Sequence, residues 1–146
     1  VPFRFIRLQG EARHALGDLL AARTLHLQPD AADAVVEKDR ARFSHTPVIV
    51  TVVARLTPGH KVPEQEQLLT AGSVCFALLQ AAQALGFGAQ WLTGWMAYDD
   101  AVAATLGLSA DERIAGFIHI GTPKMEAPER ERPDPALLLT DWTPGA

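Results

Sequence analysis

The sequence predicts an α+β domain, and three observations carry that prediction. The stretch from Leu68 to Leu85 holds no charge and is too long for a strand, so it reads as a long helix. Val48-Ile49-Val50-Thr51-Val52-Val53-Ala54 is β-branched almost throughout, as a central strand covered on both faces requires. Elsewhere helical patterns alternate with extended ones, making at least four strands in all. With 146 residues, 48% of them hydrophobic and 21% charged, the chain suffices for one domain with a real core.

In chain order, Val1-Pro2-Phe3-Arg4-Phe5-Ile6-Arg7-Leu8 alternates as a strand with Phe3, Phe5 and Leu8 facing inward. A strand that starts at once leads us to expect residues upstream of Val1. Gly10 to Ala22 reads as an amphipathic helix with Leu16, Leu19 and Leu20 inward. Asp30 is the expected cap of a second helix running through Val35, Val36 and Arg40. Pro47 opens the β-branched strand.

Pro63 suits the first position of the long helix, and Glu64 and Glu66 place negative charge at its positive end. Leu68, Leu69, Val74, Cys75, Phe76, Leu78, Leu79 and Leu85 point all around its axis, which predicts a core helix buried on every side. Gly86 then falls where a left-handed cap ends a helix. Ala89 to Leu92 reads as a short strand leaving through Thr93-Gly94, where backbone amides could face a ligand. Asp99 and Asp100 start a helix carrying Val102, Ala103 and Leu106 and ending at Gly107. Ile114 to Ile120 is another buried strand, closed by Gly121-Thr122-Pro123. From Pro123 a Pro-rich, charged arm leads to Leu137-Leu138-Leu139, an apolar piece that should dock on something, such as a second subunit.

Several function classes lack their residues. A formal net charge of -4 with no run of Lys or Arg gives no footprint for nucleic acid or an anionic membrane. Thr70, Gly72, Ser73, Gln80 and Gln83 interrupt the apolar helix and argue against a membrane span. The five His residues and Cys75 show no metal-ligand spacing. There is no nucleophile elbow, phosphate-binding loop or dinucleotide fingerprint. The lone cysteine forms no internal disulfide, which is compatible with a reducing cytoplasm.

Several blocks resemble one family. Pro2-Phe3-Arg4-Phe5-Ile6 with Gly10-Glu11-Ala12-Arg13, Pro47 to Ala54, and His60-Lys61-Val62-Pro63 with Glu66 to Gly72 stand in order along the chain. The segment closing on Trp91-Leu92-Thr93-Gly94 follows them. Gly116-Phe117 through Gly121-Thr122-Pro123 and Arg130-x-Arg132-Pro133 complete the series. Together they resemble the nitroreductase family, whose small single-domain members are NAD(P)H nitroreductases.

The resemblance implies an α/β/α sandwich with a central, mainly antiparallel sheet and a long buried core helix, assembled as an intimate homodimer. It implies FMN held between the subunits, with Trp91, Leu92, Thr93 and Gly94 lining the flavin and Arg130 and Arg132 near its phosphate. Ala81, Ala82, Gln83, Ala84, Leu85 and Gly86 match a segment linked to NAD(P). The family's N-terminal helix, with its Arg-Arg-Ser-type phosphate contact, has no counterpart in this sequence. The expected activity passes electrons from NAD(P)H through FMN to a nitroaromatic, quinone or similar acceptor by a ping-pong cycle, without an acid-base side chain. A flavin-binding module without turnover and a dimerisation scaffold are the alternatives.

Overall fold

The computed structural model describes residues 1–145. Its elements are β1 (Phe3–Gln9), α1 (Glu11–Leu27), α2 (Asp33–Ala41), β2 (Val48–Arg55), α3 (Glu64–Ala84) and β3 (Gly88–Leu92). A 3-10 turn (Trp95–Ala97), α4 (Asp100–Thr105), β4 (Glu112–Gly121) and a second 3-10 turn (Pro135–Leu137) follow. The strands form one sheet in the order β1-β2-β4-β3, antiparallel at every pairing. The last strand therefore enters the middle of the sheet, beside the β-branched β2. No helix among the described residues is long and apolar enough to cross a membrane.

Helices cover both faces, giving the expected sandwich. On one face Leu16 and Leu20 of α1 and Val102 of α4 pack on Leu8, Ile49, Ile114 and Phe117. On the other, Ala71 and Cys75 of α3 pack on Val52, Ala54 and Ile118. Burial pushes the Cys75 thiol up to about 11, so it serves as an inert core residue. Gly86 takes φ 83 and ends α3 as expected. Asp99 caps α4, its Oδ1 accepting from the Ala101 and Val102 amides at 3.0 and 3.1 Å.

Three expectations need correction. Phe5 is 50% exposed, and Ile6 and Leu8 point into the α1 side instead, because strand alternation sends Phe3 and Phe5 to the opposite face. Asp30 caps nothing: α2 starts at Asp33 after Ala32, with no side-chain cap. The long helix α3 is buried on one side only, leaving Leu68, Leu69 and Phe76 at 45%, 63% and 58% exposure. The sheet can cover just one flank of a helix, and no other element among the described residues covers the second. The arm packs on no other element among the described residues, and Leu137, Leu138, Leu139 and Trp142 are exposed.

A bulge in the central pairing sets the geometry near β3. Val52 pairs with Gly116 but Val53 pairs with Ile114, so Ala115 is the extra residue. Its carbonyl accepts from Trp91 Nε1 at 3.1 Å. The indole lies over Gly116, where an added Cβ would stand 2.0 Å from Nε1. Gly116→Ala should cost about 1–3 kcal/mol in urea unfolding through this overpacking. In a Trp91→Phe background the cost should shrink by at least about 0.5 kcal/mol, the coupling expected of contacting residues.

Arg4 and Glu112 tie the edge strand β1 to β4 across β2. Arg4 Nε and Nη2 donate to the two carboxylate oxygens at 2.6 and 2.8 Å, and the Ser109 amide donates at 3.1 Å. The Arg4 bonds outweigh partial burial and hold the Glu112 carboxyl down at about 2. A depressed carboxyl stabilises the fold above its unfolded value near 4.5 and loses that contribution as pH falls toward about 2. Urea midpoints from pH 5 to pH 2.5 should therefore fall more steeply in the wild type than in Glu112→Gln.

Candidate functional site

The site gathers around the exit of β3. β3 is an edge strand, and side-chain alternation along it points Trp91 and Leu92 to opposite faces of the sheet. Leu92, Thr93 and Gly94 line a hollow of about 110 Å³ with Phe43, Met96 and Phe117. Gly94 takes φ 88, a conformation that favours glycine. A Cβ there would stand 2.9 Å from Met96 Sδ and 3.8 Å from Arg42 Nη1, so the missing side chain leaves backbone beside a cation.

That cation is held from behind. Arg42, just beyond α2, donates from Nε and Nη2 to Asp39 Oδ1 at 3.0 and 2.7 Å. Thr24 of α1 donates to the other oxygen of Asp39 at 2.7 Å. Burial pushes the Asp39 carboxyl up, but the Thr24 hydroxyl and the Arg42 guanidinium outweigh it and hold the group below its ordinary value. Arg42 Nη1 bonds no partner among the described residues. Arg13, within the Gly-Glu-x-Arg match, pins the neighbouring loop by donating to the Ser44 and Thr46 carbonyls.

His119 of β4 lies opposite Gln90 of β3. Its ring stacks on Phe43 with centroids 5.8 Å apart, and Nδ1 lies 3.2 Å from Thr46 Oγ1. Burial, aided by nearby His45, pulls the imidazole down to about 4, so it is neutral at pH 7. Beyond it opens a second hollow of about 300 Å³, lined in part by His45, Thr46, Gln90 and Thr122. The two hollows share Arg42, Leu92 and His119 and form one groove.

The residues expected at the site are only partly brought together. Leu92, Thr93 and Gly94 share the smaller hollow. Trp91 instead lines a groove of about 850 Å³ on the α3 face, with Leu68, Leu69 and Tyr98. Arg130 and Arg132 lie on the exposed arm, where Arg132 pairs with Glu129, and neither lines the hollows around β3. Of Ala81, Ala82, Gln83, Ala84, Leu85 and Gly86 only Ala82 is buried, and none lines these hollows. Sequence reasoning missed Arg42, Asp39 and His119. The three-residue spacing of Asp39 and Arg42 at a helix end was an available signal for the first two, and nothing local marks His119.

A family model described as the nitroreductase family matches residues 1–122. The chain belongs to the nitroreductase family. It is 33% identical over 140 residues to an Escherichia coli (strain K12) protein, YdjA, that carries the name of an NAD(P)H nitroreductase. That match covers 95% of this chain and 75% of YdjA. A Haemophilus influenzae protein of the same general name is 33% identical over 131 residues, covering 89% and 70% of the two chains. Among solved structures, a nitroreductase-like protein from Bacillus cereus superposes with a TM-score of 0.77 at 22% identity, over 99% of this chain and 74% of its own. A nitroreductase-type protein from Desulfovibrio desulfuricans, solved in complex with FMN, gives 0.70 at 25% identity, over 98% and 74%.

In this nitroreductase the Thr24–Asp39–Arg42 chain of bonds joins α1 and α2 to the groove. Asp39→Asn should destabilise the fold by about 1.5–3 kcal/mol at pH 7, the range for hydrogen bonds to charged groups. Urea unfolding at neutral pH measures it.

Proposed function

We propose that this nitroreductase is a cytoplasmic, homodimeric, FMN-dependent oxidoreductase. It takes electrons from NAD(P)H and passes them to a nitroaromatic, quinone or similar flat acceptor, donor and acceptor using one pocket in turn. The observation that carries the reading is the groove at the exit of β3. There backbone without a Cβ at Gly94, an apolar wall of Phe43, Leu92 and Phe117, and the free Nη1 of Arg42 adjoin one another.

These residues fit FMN by their chemistry. Leu92 offers apolar surface to a flat ring above the buried Phe43 and Met96, Thr93 and Gly94 offer backbone groups to its polar edge, and Arg42 offers a positive charge to a site that must hold an anion. When bound, FMN supplies hydride uptake from NAD(P)H and its delivery to the acceptor. The chain's own part is to bind, orient and exclude water. Asp39 and Thr24 keep the Arg42 guanidinium facing Gly94, and the buried His119 and Phe43 form a rigid floor.

A second copy completes the site in this reading. The bare flank of α3, with Leu68, Leu69 and Phe76, and the exposed Leu137, Leu138, Leu139 and Trp142 together form more apolar surface than a lone chain would keep. Fully covering a fully exposed side chain of this kind contributes about 1.5–3 kcal/mol, and the half-exposed ones proportionately less. Arg130 and Arg132 reach the flavin phosphate from the arm once it has docked.

The purified protein should elute as a dimer and show visible flavin bands, or acquire them on addition of FMN. Those bands should bleach anaerobically with NADPH or NADH and return on addition of a quinone. A protein that stays colourless with excess FMN overturns the enzyme reading, and bound FMN that neither nicotinamide bleaches leaves a binding module without turnover.

A further inference from the structure

His119 is the part of the groove that the flavin reading leaves without a ligand of its own. The residue is 5% exposed, with one ring face on Phe43 and Nδ1 beside Thr46 Oγ1. Its other nitrogen, Nε2, bonds no partner among the described residues, although the ring lines both hollows. A phenyl ring would satisfy the stack on Phe43 equally well; the imidazole adds the Thr46 bond at Nδ1 and leaves Nε2 for the groove.

The groove also changes character at this point. On the Gly94 side Phe43, Leu92, Met96 and Phe117 stand with Arg42 and Thr93, whereas past His119 the polar side chains of His45, Thr46, Gln90 and Thr122 join Pro47, Ala89 and Pro123. A ligand with a flat ring and an oxygen-rich tail matches that gradient, the ring toward Gly94 and the tail toward Thr122. We propose that His119 is a binding residue for the tail of FMN, its Nε2 hydrogen-bonding a ribityl hydroxyl or a phosphate oxygen. This rests on the flavin reading above. When Thr46 donates its hydroxyl proton to Nδ1, the neutral ring carries its proton on Nε2 and donates to an oxygen in the groove.

The test compares the full chain with His119→Phe, which keeps the stack, and His119→Gln, which restores an N–H donor. FMN, riboflavin and lumiflavin are titrated against each by quenching of flavin fluorescence. His119→Phe should bind FMN about tenfold more weakly, the scale of one hydrogen bond, and lumiflavin within about twofold of wild type. His119→Gln should recover most of the loss. An equal loss with riboflavin assigns the bond to the ribityl chain, and a loss confined to FMN assigns it to the phosphate. In the unsubstituted chain the His119 ring nitrogen resonances should shift on adding FMN and stay still with lumiflavin, which keeps the proposal testable if a variant misfolds. Unchanged FMN affinity in His119→Phe, or an equal loss for lumiflavin, overturns this proposal alone. Failure of the wild type to bind any flavin overturns the flavin reading with it.

Discussion

The structure depends on β4 taking the central place beside β2. That strand is the last in the chain, yet every other layer is built on it. Ile114 and Phe117 supply one core and Ile118 the other. Glu112 at its start anchors Arg4 of the distant edge strand, and the bulge at Ala115 gives Trp91 its acceptor. His119 near its end floors the groove. A strand hydrogen-bonded on both edges and covered on both faces has no freedom to slip in register, since a one-residue shift would send each of these side chains to the wrong face.

The same arrangement explains why the groove lies where it does. The edge strand β3 is short, and the chain leaving it turns at Gly94 instead of pairing further. The end of α2 approaches from the α1 side and brings Arg42 to that turn, with Thr24 and Asp39 fixing the guanidinium from behind. A cation supported through a buried carboxylate is preorganised, so less side-chain entropy is lost when a ligand arrives. On the opposite face α3 meets the sheet through Ala71 and Cys75, with Val74, Leu78 and Leu79 packed beside them, and turns Leu68, Leu69 and Phe76 outward. The apolarity of this helix thus serves two surfaces, one inside the chain and one beyond it.

Much of the fold was legible before any coordinates. Gly86 and Asp99 mark helix boundaries through local backbone chemistry, and Val48 to Ala54 declares a covered strand by its β-branched run. Apart from the Asp30 cap, a local reading, the readings that failed required knowledge of a neighbour. Phe5 and Ile6 are both apolar, and only the layer packed on each face decides which is covered. The helix α3 is apolar all round, but burial needs a second layer that the described residues do not supply. Within the site, Leu92, Thr93 and Gly94 were legible because they adjoin in sequence, as a strand exit must. Arg42 and His119 were not, since they come from the end of α2 and from β4 and meet only when both elements pack around β3.

By itself the sequence determined the element types, the turns and the family pattern, because these follow from side-chain periodicity, caps and φ preferences within a few residues. The tertiary structure decided that β4 lies between β2 and β3, that one flank of α3 stays bare, and that a guanidinium and a neutral imidazole share a groove with Gly94. Those outcomes depend on contacts between residues far apart in the chain. Such contacts are selected by the packing and hydrogen-bond satisfaction of the whole molecule, which no local segment encodes.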